Sequence, residues 1–422
     1  MLVHLEAHFQ IELLLTSWPG FIIGLNMFGL DIRALGGTVR RKNGSEEGMF
    51  YHLIYYNLQE DTVILFANNS LMEPGDTVIP HIEYSAGLNY NVYNGYGLWK
   101  QPCTGTQDAA SKQCWFTQFE AAGARRMFPC FDEPGGKAVF DVRVARTEGW
   151  LTLFNTPVNY TEPVAGRPGW VWDVFRTTPR MSTYTLALAI QDFQSVEADE
   201  RMKIWAMSEY IEAGLADYAA LVGPHCLNSL EEIYGVKYSL EKMDMVHVNN
   251  FQSAMENWGL ILYDYDYLLY DPSLPDPEQD RMFDVVETVA HELAHQWFGN
   301  LVTMDWWDQL WLNEGFATYV SHVIVQEVEP NIHSWERFVA ERMMYVMKRD
   351  SRPSSWALSG PVTDTEDFDR KFGLISYYKG GAVIRMVESF LGVETLNKAL
   401  TSYLKDMSYS SAVEEDLFIQ VV

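Results

Sequence analysis

The pentad His291-Glu292-Leu293-Ala294-His295, followed by Glu314 after eighteen intervening residues, constrains this chain more than any other feature. A helix brings positions i and i+4 to one face, so His291 and His295 present two imidazoles to one point. Two His and one carboxylate are the three protein ligands of an open catalytic zinc site, with the fourth position left for water. Glu292, beside the ligands, is placed to take that water's proton. The pattern requires a helix for the pentad and a second element to deliver Glu314. Residues 284–298 contain no Pro or Gly and repeat apolar side chains at Val285, Val289, Leu293 and Phe298, with Gly299-Asn300 as a stop. Residues 313–328 read as a second helix with Glu314 in its first turn. The pentad alone also fits a helix with two surface His and a Glu; Glu314 and its helix weigh against that.

Composition bounds the rest. A chain of 422 residues, 48% hydrophobic with 14 Trp, 23 Tyr and 22 Phe, is globular and long enough for several domains. Its net charge of −27 argues against nucleic acid as a partner, which wants a basic surface; a solvated acidic surface is the simpler reading. Cys103 and Cys114 flank a polar segment and fit a loop disulfide or two free thiols equally well. Asn43, Asn68 and Asn159 begin N-x-[ST] sequons, close to the number chance supplies. Residues 11–30 are apolar-rich but broken by Pro19-Gly20 and lack a basic flank. They read as a β-rich core segment, not a targeting or spanning element.

Residues up to about 195 read as short strands, among them 51–58, 62–66, 78–84, 138–144, 151–154, 171–175 and 183–190. Residues 210–234 read as helix and 242–248 as strand, and from 284 onward helical patterns dominate. The expected architecture is α+β and multidomain. A β-sandwich-like N-terminal domain over 1–198 precedes a mostly helical catalytic domain over 199–422.

These residues resemble the aminopeptidase N type of zinc aminopeptidases, gluzincin exopeptidases, over about residues 50–420. The most specific matches are 289–304, around the pentad, and Trp311-Leu312-Asn313-Glu314-Gly315-Phe316-Ala317. Phe128-Pro129-Cys130-Phe131-Asp132-Glu133-Pro134, Met181-Ser182-Thr183-Tyr184, Ala254-Met255-Glu256-Asn257-Trp258-Gly259 and Ile375-Ser376-Tyr377-Tyr378-Lys379-Gly380 follow in the right order. The resemblance implies a thermolysin-like catalytic domain and one Zn2+ per chain, held by His291, His295 and Glu314. It implies Glu292 as general base and proton shuttle, and Tyr377 as hydrogen-bond donor to the oxyanion. It further implies Glu256 as the anchor for the α-ammonium of the substrate, Glu120 as a second polar anchor, and Gln118 as lining the pocket for the first substrate side chain, with Ala254 and Met255 in the substrate-binding strand. Read alone, Tyr377 is a core tyrosine, and Glu120 and Gln118 are ordinary surface residues.

The family motif is usually Gly-Ala-Met-Glu-Asn, whereas Ser253 here runs directly into Ala254, as though a Gly had been lost. Loss of a residue from a strand flips the facing on one side of it. Either the strand slips upstream of Ala254, with residues 249–252 absorbing the shift as a loop, or Glu256 is misplaced; the first is the easier. The zinc site is therefore expected intact, the amine-binding edge open to question and exopeptidase efficiency reduced. The ends also read as those of a fragment, with an open cleft and weak or no activity. The implied partners are peptides with a free N-terminal amine. The implied location is the cell surface or extracellular space, with a possible membrane anchor outside this chain; the alternative is cytoplasmic. The competing functions are a catalytically impaired relative that binds peptides or acts as a surface receptor, and a zinc endopeptidase.

Overall fold

A computed structural model describes residues 13–14, 22–49, 51–57, 61–67, 75–86, 96–103, 112–251, 253–277, 279–363 and 365–421. The N-terminal part is built from antiparallel sheets. One has the order Leu13–Leu14, Thr77–Ala86, Leu30–Arg40, Glu46–Met49, and another the order Ile22–Asn26, Thr62–Ala67, Tyr51–Asn57. Leu25, Leu30, Val39, Val63 and Val78 from these strands, with Met27 just after the first of the second sheet, form a small core of their own. Strands Ile22–Asn26 and Leu13–Leu14 fall in the apolar 11–30 stretch; its residues 11, 12 and 15–21 lie outside the described ones. Asn43 sits at an exposed hairpin tip and Asn159 on the exposed strand Val158–Pro163, while Asn68 lies outside the described residues.

A four-stranded sheet, in the order Leu151–Phe154, Leu188–Gln191, Gln113–Gln118, Gly97–Pro102, leads toward the C-terminal half. Cys103 and Cys114 form a disulfide beside it. Two expected strands take different forms. Residue 138 makes a single bridge to Met181 and the strand itself is Arg143–Thr147. Thr183–Thr185 is a 3-10 turn before the strand resumes at Leu188. Asn155 explains the second case: its side-chain amide donates to the Thr185 carbonyl and accepts from the Ala187 amide, taking bonds a ladder would use.

The C-terminal half opens with a five-stranded sheet in the order Gln194–Glu197, Met202–Ala206, Met243–His247, Leu260–Tyr263, Ala254–Met255. Its last strand is an edge, antiparallel to its neighbour with Ala254 opposite Tyr263 and Met255 opposite Leu262. Helices Asp217–Tyr234 and Asp280–Ala294, the pentad helix, pack on the sheet, and the Glu314 helix Trp311–Val328 packs on the pentad helix. The pentad helix buries Val285, Val286, Val289 and Leu293 in the large core, where the Glu314 helix contributes Phe316, Val320 and Ile324. Expected to run to residue 298, the pentad helix ends at Ala294 with His295 as its cap. From there the chain turns back so tightly that the amides of Asn300, Leu301 and Val302 reach the carbonyls of His295, Gln296 and Trp297. Gly299, at φ +130, permits this reversal, and a Cβ there would lie 3.3 Å from the His295 ring.

Candidate metal centre and peptide cleft

The two helices bring the three expected ligands to one point. His291 Nε2 and His295 Nε2 lie 3.0 Å apart, and each is 3.3 Å from Glu314 Oε2. Three ligand atoms around a tetrahedral zinc at ~2.0–2.1 Å are separated by about 3.3–3.4 Å, so this triangle fits one face of that coordination shell. His295 Nδ1 lies 2.9 Å from the Phe298 carbonyl, which can only accept, so Nδ1 carries a proton there and Nε2 is the nitrogen turned to the other ligand atoms. Asn313, next to Glu314, donates to the Tyr184 hydroxyl at 3.2 Å, and that hydroxyl donates to the Gly299 carbonyl at 3.0 Å. The start of the Glu314 helix is thereby tied to the turn behind His295.

The electrostatics call for cations. Glu120, Glu256, Glu292 and Glu314 share the floor of an 860 Å3 cleft. Burial, then repulsion from Glu256, pushes Glu120 and Glu292 well above the ordinary carboxylate range. Burial pushes Glu256 up as well. Glu314 goes the other way: burial opposes its charge, but His295 and His291 hold it down to about 2. Burial likewise opposes charge on His295, yet Glu256 and Glu314 outweigh it and hold its pKa above normal. Oε1 of Glu120, Oε1 of Glu256 and Oε2 of Glu292 are buried without a hydrogen-bond partner. Orphaned buried carboxylate oxygens are costly. A divalent ion at the triad and a second cation beside Glu256 and Glu120 would satisfy them.

The remaining sequence-predicted residues converge on the same cleft. Tyr377 stacks on His291, with ring centroids 6.0 Å apart and planes within 8°. Its neighbour Tyr378 instead lies under the Arg342 guanidinium, 5.1 Å from ring centroid to Cζ. Residues Ile375–Lys379 form a π-helical turn, the device that turns Tyr377 toward the metal ligands. Glu256 Oε1 is 3.9 Å from His295 Nδ1, and the Glu256 carbonyl accepts from Asn300 Nδ2 at 2.8 Å and Gln296 Nε2 at 3.2 Å. Gln118 Nε2 donates to Met255 Sδ at 3.2 Å, so Gln118 and the edge strand Ala254–Met255 line one wall together.

Neither the strand slip expected upstream of Ala254 nor its alternative, a misplaced Glu256, is needed. Ser253 adopts φ +79, the left-handed conformation that favours Gly, and its carbonyl accepts from the Asp264 amide at 2.8 Å. Ser253 thus occupies the Gly position of the motif. The strand is in register from Ala254, and the difference from the usual motif is a substitution, not a loss. Gln252, placed in the loop meant to absorb a shift, lies outside the described residues.

The far end of the cleft was not anticipated. Tyr267, Asp284, Glu287, Thr288, Arg342 and Tyr378 line it. Burial, then repulsion from Glu287, raises Asp284 to about 6. Burial opposes charge on Glu287, but Arg342 and His322 hold it below its ordinary value, and Ser321 Oγ donates to it at 2.9 Å. Helical spacing carried a signal for this: Asp284 and Glu287 precede His291 by seven and four positions, on the same face.

A His-His-Glu group able to hold a metal, with Glu292, Tyr377 and an edge strand beside it, sits between a β-rich N-terminal part and a helical one, an arrangement of the metallopeptidase type. The Peptidase M1 N-terminal domain matches residues 22–185 and the Peptidase family M1 domain matches residues 218–421. The chain belongs to peptidase family M1. It is 36% identical to the alanine/arginine aminopeptidase of Saccharomyces cerevisiae, over 85% of this chain and 41% of that protein. It is 34% identical to aminopeptidase 2, mitochondrial, of the same yeast, over 98% of this chain and 42% of that protein. With aminopeptidase N of Homo sapiens it shares 40% identity over 72% of this chain and 32% of that protein. The chain thus spans less than half the length of these relatives.

Proposed function

We propose that the chain is a zinc-dependent aminopeptidase that hydrolyses the first peptide bond of peptides with a free N-terminal amine. The observation that carries this reading is the pair Glu256 and Glu120, whose buried, unpartnered oxygens lie beside the ligand triad. A substrate ammonium bound there places the first peptide bond, and no later one, at the metal. An endopeptidase has no use for two such carboxylates.

His291, His295 and Glu314 would hold zinc, which when bound supplies Lewis acidity and lowers the pKa of water. Glu292, raised by burial and its carboxylate neighbours, is matched to take a proton from the attacking water and return it to the leaving amine. Tyr377 is kept neutral, because burial and then Glu314 push its phenol well up, so it remains a donor to the oxygen that gains charge. The edge strand Ala254–Met255 offers its free side to an extended substrate. The Cys103–Cys114 disulfide favours an oxidising compartment such as the cell surface. No helix among the described residues is long and apolar enough to cross a membrane.

The test compares an alanine anilide with its N-acetylated counterpart on the zinc-loaded protein. Hydrolysis of the free-amine compound alone is expected. Cleavage of the blocked compound would refute the exopeptidase reading; stoichiometric zinc with hydrolysis of neither would leave a binding protein.

A further inference from the structure

Lys137 comes from the N-terminal part of the chain and is buried, 7% exposed. Its ammonium donates to the carbonyls of Asn300 and Leu301, both at 3.1 Å, and to no carboxylate among the described residues. Burial, then repulsion from Arg180, pushes it down to about 7. Burying a lysine against carbonyls alone is expensive, and an apolar side chain would fill the space at less cost. The arrangement therefore has to be explained by what those carbonyls do.

They belong to the tight turn behind His295. The Asn300 amide is bound to the His295 carbonyl at 3.0 Å, and the Asn300 side chain donates to the Glu256 carbonyl at 2.8 Å. Asn300 is 1% exposed, and its Oδ1 has no partner, so its side chain holds nothing but Glu256. Lys137 Nζ, the Asn300 main chain, the Asn300 side chain and the Glu256 main chain form one continuous series of contacts. Gln296 supports the same carbonyl from the pentad side at 3.2 Å.

We propose that Lys137 is a positioning residue for the amine anchor: by clamping the Asn300–Leu301 turn it fixes the backbone from which Glu256 reaches the substrate ammonium. Lys137 itself touches neither metal ligand nor substrate. The proposal rests on the aminopeptidase reading for the role of Glu256, and equilibrium binding separates the two.

The experiment measures binding of L-alaninamide to the zinc-loaded full chain by calorimetry, with zinc content, thermal unfolding and anilide turnover in parallel. Lys137→Met is expected to keep zinc and weaken alaninamide binding about tenfold, the loss expected for one misplaced charge-assisted hydrogen bond. Lys137→Arg should recover most of that. Asn300→Ala should weaken binding similarly, and the double variant should be no worse than either single one, because both break one series of contacts. If Lys137→Met does not fold, Asn300→Ala and Lys137→Arg carry the test. Unchanged alaninamide affinity in folded Lys137→Met or Asn300→Ala overturns the proposal, as does full additivity. Wild-type protein that binds alaninamide but does not turn over the anilide would overturn the hydrolase reading alone. Wild-type protein that binds no alaninamide would overturn both.

Discussion

Gly315 and Gly380 meet backbone to backbone: a Cβ on Gly315 would lie 3.0 Å from the Gly380 Cα, and a Cβ on Gly380 would lie 3.0 Å from the Gly315 Cα. Gly315 follows Glu314, and Gly380 follows the π-helical turn that carries Tyr377. The two glycines therefore set the approach between a metal ligand and the proposed oxyanion donor. No flexible side-chain end can move aside, because the atoms in the way are main chain. Gly315→Ala and Gly380→Ala should each destabilise the protein by about 1–3 kcal/mol, as overpacking does. Because the displaced helices carry Glu314 and Tyr377, turnover should fall by more than the loss of folded protein accounts for. Urea unfolding together with kcat of the folded fraction checks this; full specific activity in folded Gly315→Ala would show that the spacing does not matter to the chemistry.

Ser253 supplies a prediction opposite to the one its sequence context suggests. Were a residue missing, inserting Gly before Ala254 would restore the cleft. With Ser253 at φ +79 and Ala254 paired to Tyr263, the insertion should instead push the strand out of register and remove Glu256 from the site. Ser253→Gly should raise stability by about 0.5–1 kcal/mol by relieving left-handed strain, and Ser253→Val should lower it by at least about 1 kcal/mol. Alaninamide affinity and thermal unfolding of the three variants are the readouts. An insertion variant that binds alaninamide better than wild type would restore the deletion reading.

What could be read from residue order, and what could not, follows from the range of the interactions. The pentad helix and the Glu314 helix were legible because 3.6-residue periodicity and a single spacing specify them. Glu120 and Gln118 looked like surface residues because the cleft that collects them is closed by the edge strand Ala254–Met255, more than a hundred positions along the chain. Tyr377 and Tyr378 were indistinguishable by composition; a π-helical turn decides which one faces His291, and that turn has no strong sequence signature. Ser253 was misread because residue order does not reveal φ. Lys137 was invisible as a functional residue, since its partners are main-chain carbonyls 163 and 164 positions away.

Acid sensitivity should be traceable to Asp173, which is 2% exposed in the sheet Arg143–Thr147, Trp170–Phe175, Val158–Pro163. Burial opposes its charge, but Arg146 at 2.5 and 3.1 Å, Thr152 at 2.5 Å and Thr161 at 2.6 Å outweigh that and hold its pKa below the ordinary value. A depressed carboxylate stabilises the fold above its unfolded pKa, and that contribution fades as pH falls through the lower, folded value. Asp173→Asn should thus cost about 3–5 kcal/mol at neutral pH, as breaking a buried pair does. The gap from wild type should stay flat down to about pH 5 and narrow below about pH 4. Denaturant unfolding of both proteins from pH 7 to pH 2 measures it; a gap independent of pH would mean that Asp173 acts by packing and not by charge.

On the proposed reading hydrolysis depends on Glu292, and its position separates two roles that an acidic neighbour of a metal can play. It is 5% exposed, and its Oε2 faces the cleft without a partner, while His291, His295 and Glu314 form the ligand triangle without it. A proton carrier can therefore be removed while the metal stays. Glu292→Gln keeps shape and hydrogen bonding but cannot accept the proton, so zinc content should remain near one per chain while kcat falls by about 10²–10⁴-fold. Alaninamide affinity should change by less than about threefold, because on the proposed reading the ammonium is held by Glu256 and Glu120. Loss of zinc in the variant would make Glu292 a ligand or a support for one. Retained turnover would take the proton transfer away from Glu292 and assign it to another group in the cleft, with Asp284, raised to about 6, the next to substitute.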